Sequence, residues 1–321
     1  MRLTPLALIA LFAALLAPPA RADDPLRLAL QATGTTVWEM AVVSAYGLDK
    51  EAGLDLKTTE LASTEASKIA LLGGSADVIV SDWLFVARER TGGRGLVFYP
   101  ASIGIGAVVT KDAAIRSVKD LSGKKLGVAG GPLDKSWLFL KAEALKQGVD
   151  LEKTATIVYG APPLLAEKAA QGELDAVLEF WNFALDLEAR GFRRAIEMSE
   201  VERALGAKGD PVVTGYVFDE KFAAQHGPAL ARFFAMMKKA KTLIATSDEA
   251  WAKAAARIPA KDKATLDVYR KRYVEAQPKG SVEAQEADAA KLFAVLAVIG
   301  GEALVGPAKT LPPGAFYKAT P

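Results

Sequence analysis

The sequence has 321 residues with 51% hydrophobic and 24% charged side chains, enough length for two domains and enough apolar surface for a core. A disordered chain is thereby excluded, and the absence of cysteine excludes a disulfide framework, a thiol nucleophile and cysteine-ligated zinc or iron–sulfur. His226 is the single histidine, which leaves little for a histidine metal site or a Ser-His-Asp mechanism, so the composition leans away from an enzyme.

Residues 1–22 read as a secretion signal. Arg2 gives a positive start, Leu6–Ala17 is an unbroken apolar run, Pro18 and Pro19 break it, and Ala20-Arg21-Ala22 fits a small-x-small cleavage site. A membrane anchor needs about 20 apolar residues, more than the run supplies. Cleavage after Ala22, with no cysteine to carry a lipid, implies a free periplasmic protein. Loss of Arg2 and Arg21 leaves 38 Lys+Arg against 38 Asp+Glu, so no electrostatic footprint for nucleic acid or anionic membrane remains. Lys238, Lys239 and Lys241 cluster in one segment and read as a solvated helix face.

Along the mature chain, strands and helices alternate. Strands are predicted at 26–30, 54–59 and 76–80, with helices at 37–52, 64–72 and 83–90 between and after them; 96–98 and 106–110 are further strands. The pattern restarts with strands at 126–129, 156–159 and 176–178 and helices at 135–147, 164–171 and 183–190. An irregular stretch then runs to Pro211, and 212–218 is a returning strand. Helices fill the chain to about Gly300, and 310–321 is a tail wrapping the surface. Apolar strands spaced by helices of this length indicate a parallel sheet in an α/β layer. Two such layers imply two lobes facing a cleft at the carboxyl ends of the strands, closing by hinge motion. The expected division is 23–108 plus 217–321 for lobe 1 and 109–216 for lobe 2.

The run at 107–128, AVVTKDAAIRSVKDLSGKKLGV, resembles the lobe-crossing segment of periplasmic solute-binding proteins of the nitrate/sulfonate/taurine type, a group that includes thiamine-precursor binders. Its most specific piece is V-K-D-L-x-G-K-K-L-G-V. AVVSAYGLDKEAGLDLKTTE at 41–60, LLGGSADVIVSD at 71–82 and AAQGELDAVLEFW at 169–181 support it with a helix, Gly, acidic, apolar-strand cadence. The resemblance runs from about residue 26 to 220. It implies the two-lobed type II periplasmic binding protein fold, with one lobe built from both chain ends.

Trp38, Trp83, Trp137 and Trp181 each fall at or just past the end of a predicted strand, which suits either an aromatic-lined cleft or core positions at helix starts. Polar residues accompany them: Thr35, Thr36, Ser81 and Asp82 in the first lobe, Asp134, Ser136, Glu179 and Asn182 in the second. Asp82, Asp134 and Ser136 also fit helix N-caps, the commoner role for such residues, whereas Glu179, between Leu178 and Phe180, is costly if buried unpaired. The resemblance carries a ligand role onto Trp38, Ser81-Asp82 and Glu179-Trp181-Asn182 by loop position. No arginine falls at these strand ends. Aromatic faces with carboxylates suit a neutral or cationic solute, an aromatic one included, better than a sulfonate or nitrate. No dinucleotide, P-loop or EF-hand motif is present, and no cofactor or metal is expected. The expectation is a monomeric solute-binding component delivering its solute to an inner-membrane ABC permease. A thiamine-pyrimidine-synthase-like enzyme and a periplasmic sensor subunit are the alternatives.

Overall fold

The computed structural model describes residues 23–209, 211–260 and 262–318, so the predicted leader lies outside the described residues. Strand β1 (Asp24–Gln31) buries Leu26, Leu28, Ala29 and Leu30 and leads into helix α1 (Thr36–Tyr46). The sequence suggests one helix over 37–52. Gly47 breaks it instead, at φ 62°, a left-handed cap that glycine adopts without the Cβ penalty, and a short α2 (Leu48–Glu51) resumes. Then come β2 (Leu54–Leu61), α3 (Thr64–Leu72), β3 (Val78–Asp82), α4 (Trp83–Thr91) and β4 (Leu96–Ser102).

The second pass comprises β5 (Ala107–Thr110), β6 (Lys125–Ala129), α5 (Lys135–Lys146), α6 (Leu151–Thr154), β7 (Thr156–Gly160), α7 (Pro162–Ala170), β8 (Ala176–Glu179), α8 (Trp181–Ala189), β9 (Arg193–Glu197) and α9 (Met198–Ala204). Helix α7 starts two residues earlier than the apolar pattern suggests, because proline is well suited to the first helical turn. The motif between β5 and β6 is a single 3-10 turn, Val118–Leu121. Asp120 closes it by accepting from the amides of Arg116 and Ser117 (3.0 and 2.9 Å) and the Ser117 hydroxyl (2.9 Å). The stretch before Pro211 is not irregular throughout: it holds β9 and α9. Strand β9 reads RRAIE and fully buries Ile196 alone, so its charged, edge-like sequence hides it.

Strand β10 (Thr214–Asp219) is followed by α10 (Glu220–Thr246), α11 (Asp248–Ala255), α12 (Lys263–Glu275), α13 (Val282–Gly300) and α14 (Glu302–Val305). Helix α10 is kinked at His226 before Gly227-Pro228, and His226 stacks on Phe222 with ring centroids 4.4 Å apart.

Two five-stranded sheets result, ordered β2-β1-β3-β10-β4 and β7-β6-β8-β5-β9. Strands β2, β1 and β3 are parallel and so are β7, β6 and β8, while β10 and β5 run antiparallel to their neighbours. The fold is the two-lobed α/β architecture expected from the sequence. The chain passes between the sheets over 103–106 and returns between α9 and β10. Behind these crossings the core is continuous. Trp83 packs against Phe139 of α5 and Phe293 of α13, with centroids 6.3 and 6.4 Å away. Its indole N–H donates to the Val212 carbonyl at 2.9 Å, and Gln285 of α13 accepts from the Val212 amide at 2.9 Å. The tail does more than wrap the surface: Ala315 and Phe316 are buried, and the Phe98 amide donates to the Ala315 carbonyl at 2.8 Å. Among the described residues no helix is long and apolar enough to cross a membrane.

Candidate functional site

Parallel strands deliver their carboxyl ends to one rim of each sheet, and the helices that follow start there with their amide ends. The amino-terminal ends of α1, α3, α4, α5 and α8 meet around a cavity of about 110 Å³ between the lobes. Thr35, Thr36, Ser81 and Asp82 line it from one lobe; Asp134, Ser136, Trp181 and Asn182 line it from the other.

Several of these residues have local duties. The Asp82 carboxylate caps α4 by accepting from the Phe85 amide at 2.8 Å, and Asp134 caps α5 through the Ser136 amide at 2.9 Å. Burial raises the pKa of Asp134; Lys135 opposes that shift and the Asp82 carboxylate adds to it. Helix α8 begins without a side-chain cap, so its first amides remain available to an acceptor, whereas the Val37 and Trp38 amides of α1 donate to the Gly34 and Thr35 carbonyls at 3.3 and 3.0 Å. The Ser81 hydroxyl lines the cavity, is buried, and has no hydrogen-bond partner among the described residues. It is therefore free to donate or accept.

The tryptophans divide. Trp181 lies against the crossing segment at Gly104 and faces the cavity. Trp38 is 3% exposed and reaches a second, neighbouring cavity of about 380 Å³ that also borders Asn182 and Tyr269. The two indoles meet edge-on, 5.7 Å apart, with Tyr269 and Tyr273 close by, so Trp38 contributes by buttressing Trp181. Trp83 points into the core behind the crossings, against Phe139 and Phe293. Trp137 is fully buried and packs edge-on to Tyr159 at 6.4 Å. Glu179 does not line the cavity either. It is fully buried, its carboxyl oxygens meet no side-chain partner among the described residues, and burial pushes its pKa well above the usual glutamate value.

Asn182 ties the lobes together. Its side-chain N–H donates to the Thr33 carbonyl at 3.2 Å, and the Tyr269 hydroxyl donates to the Asn182 carbonyl at 2.7 Å. The side-chain bond exists only while the lobes are apposed. Asn182→Ala is therefore expected to cost the folded chain about 1 kcal/mol. The loss should lower Tm by roughly 2 °C for a chain of this length; an unchanged Tm would remove Asn182 from the contact between the lobes.

Sequence reasoning missed the cavity's third wall, built by Glu39, Lys241, Tyr273 and Gln277. Lys238 and Lys239 are exposed as expected, but Lys241 turns inward. It follows Met237 by four residues and precedes Ile244 by three, both buried, and that helical spacing is the signal that places it on the inner face.

The NMT1/THI5-like family model matches residues 42–250, more than half of the chain. The chain belongs to the NMT1/THI5-like family. The crossing motif at 107–128 lies inside the matched span. No protein of curated function matches the sequence. Among solved structures, the alkanesulfonate-binding protein SsuA from Xanthomonas axonopodis pv. citri, bound to MOPS, is similar at a TM-score of 0.70 and 19% identity, covering 94% of this chain and 99% of that one. The periplasmic aliphatic sulphonate binding protein SsuA from Escherichia coli gives 0.69 and 17%, over 92% and 93% of the two chains. The periplasmic nitrate-binding protein NrtA from Synechocystis PCC 6803 gives 0.56 and 12%, over 81% and 70%. At these identities the likeness carries the fold alone.

Within that fold, the charge around this cavity is mixed. Glu39, Glu65, Asp82 and Asp134 face Lys68, Lys135 and Lys241, with no arginine among the described lining residues. Each lysine already has a carboxylate: Lys68 with Glu65 at 2.8 Å, Lys135 with Asp134 at 3.9 Å and Lys241 with Glu39 at 3.7 Å. Lys68 also lies over the Phe85 ring and Lys135 over Phe180, at 5.1 and 5.3 Å.

Proposed function

We propose that this chain is the solute-binding component of an ABC importer. It is exported, freed in the periplasm by cleavage after Ala22, and acts as a monomer that captures one small organic solute and hands it to an inner-membrane permease. It performs no chemistry on that solute. One observation carries the reading: residues from two separate lobes, each at the carboxyl ends of its parallel strands, line a single cavity bridged by Asn182. A solute touching both lobes binds the closed form better than the open one, and that differential drives closure. The Escherichia coli and Synechocystis proteins of this fold are periplasmic binders of sulphonates and nitrate, which supports the transport role.

The solute differs in charge from theirs. Four carboxylates meet three lysines that are already paired, and Trp181 and Phe180 offer aromatic faces. That surface favours a neutral or cationic polar molecule, with the open amides of α8 and the Ser81 hydroxyl reading its acceptors. A thermal-shift panel of amines, heteroaromatics, sulfonates, nitrate and metal ions tests this. A solute at about 100 times its Kd adds roughly 2.7 kcal/mol, a shift of several degrees at this size. The reading expects the shift among amines or heteroaromatics; a shift confined to sulfonates or nitrate overturns the charge assignment.

A further inference from the structure

Glu39 is a carboxylate of the cavity in a costly setting. It is 4% exposed, caps no helix, and lies on α1 in the stripe with Val42 and Val43. Two buried phenols hold it from different elements. The Tyr273 hydroxyl of α12 donates to Oε1 at 2.8 Å, and the Tyr216 hydroxyl of β10 donates to Oε2 at 3.3 Å. Burial first, and then the carboxylate, raises the pKa of both tyrosines, so they remain donors. A carboxylate has about four acceptor positions, and the phenols occupy two.

Lys241 stands beside it without closing on it. Its Nζ donates to the Ala101 carbonyl, while Glu39 Oε1 lies 3.7 Å away, outside hydrogen-bond range. Both side chains border the cavity. As structural glue this arrangement is uneconomical, because apolar residues of similar volume stabilise a core as well as a buried ion pair does. The loose spacing makes sense if the ammonium is replaceable.

We infer that Glu39 is the carboxylate that reads the solute, and that Lys241 is its resident counter-ion, standing where the solute's cationic or N–H-donating head goes. This rests on the solute-binding reading above and narrows the solute to an organic ammonium or amidinium. On binding, the head donates to the open positions of Glu39, and the Lys241 ammonium gives up the Ala101 carbonyl and swings aside.

The assignment makes the two partners of one ion pair behave oppositely. Calorimetry with benzylamine, benzamidine and benzenesulfonate, which share a ring and differ in charge, is run on wild type, Glu39→Gln and Lys241→Met, with the Tm of each variant recorded. The expected result is at least a tenfold loss of benzylamine or benzamidine affinity in Glu39→Gln and a several-fold gain in Lys241→Met. Tyr273→Phe removes one orienting donor while leaving the carboxylate, and should weaken the same two probes about threefold even if Glu39→Gln fails to fold. The inference is overturned if Lys241→Met abolishes benzenesulfonate binding while Glu39→Gln keeps it, if both variants lose affinity together, or if neither cation binds wild type or Lys241→Met. Benzenesulfonate binding to wild type leaves the transport function standing and removes only the Glu39 assignment. A chain that takes up no small molecule removes both.

Discussion

Gly106→Ala is expected to destabilise the protein by about 3 kcal/mol or more, lowering Tm by roughly 5 °C for a chain of this length. Gly106 is the last residue of the crossing segment before β5, at the edge of the cavity. A Cβ there would lie 1.7 Å from the Glu179 carbonyl oxygen and 3.2 Å from the Phe180 Cα. These are backbone atoms of the β8–α8 junction, so the clash cannot be relieved by a side-chain rotation. Separating β5 from β8 would also shift Trp181 and Asn182, and solute affinity should fall with stability. Gly209→Ala is the control, since nothing lies within 4 Å of its Cβ position; it should change stability by less than about 0.5 kcal/mol. A Gly106→Ala protein melting within a degree of wild type would contradict the close approach.

The second large effect concerns Glu179 and depends on pH. In the unfolded chain this carboxyl titrates near the ordinary glutamate value of about 4.3. In the folded chain burial raises it well above that; the Phe180 amide opposes the shift, and the carboxylates of Asp134 and Asp186 add to it. The folded state therefore holds a proton that the unfolded state releases. Stability from this site is complete below the unfolded pKa and is lost as pH rises through the folded one. A glutamine amide in its place cannot ionise. Glu179→Gln is accordingly expected to match wild type near pH 4 and to exceed it by about 1–3 kcal/mol at pH 8, the cost of an unpaired buried polar or charged group. Melting both proteins from pH 4 to 8 decides it. Curves that stay parallel would mean that Glu179 finds a partner in solution or lies exposed.

Most of the fold is legible in the sequence because its central strands are buried on both faces. Leu28-Ala29-Leu30 and Val108-Val109 are continuous apolar runs that only a covered sheet requires, and glycines close the helices between them. Strand β9 escapes because one edge of the second sheet tolerates arginines. The position of the cleft is legible too, since strand polarity alone sends Thr35, Ser81, Asp134 and Trp181 to one rim.

Side-chain direction at that rim is another matter. Trp83 and Trp137 share the address of Trp181, yet a residue in the first turn of a helix can point toward the cleft or back beneath it. For Trp83 the Val212 carbonyl and the rings of Phe139 and Phe293 decide in favour of the core, and all of these partners are distant in sequence. Glu39, Lys241 and Tyr273 were hidden for a different reason. Glu39 lies in the first turn of α1, and Lys241 and Tyr273 lie toward the ends of their helices on largely apolar stripes, past about residue 220, where the resemblance read from the sequence fades. Only the packing of α1, α10 and α12 against one another brings the three together.

The central claim, that the interlobe cavity at Trp181 holds one small solute, is tested most directly by native mass spectrometry of the mature chain and its Trp181→Ala variant, each mixed with the solute panel. The account predicts one small molecule per wild-type chain, drawn from the amines or heteroaromatics, and loss of that adduct in Trp181→Ala. A wild-type chain that stays bare against every solute, or an adduct that Trp181→Ala keeps undiminished, would contradict it.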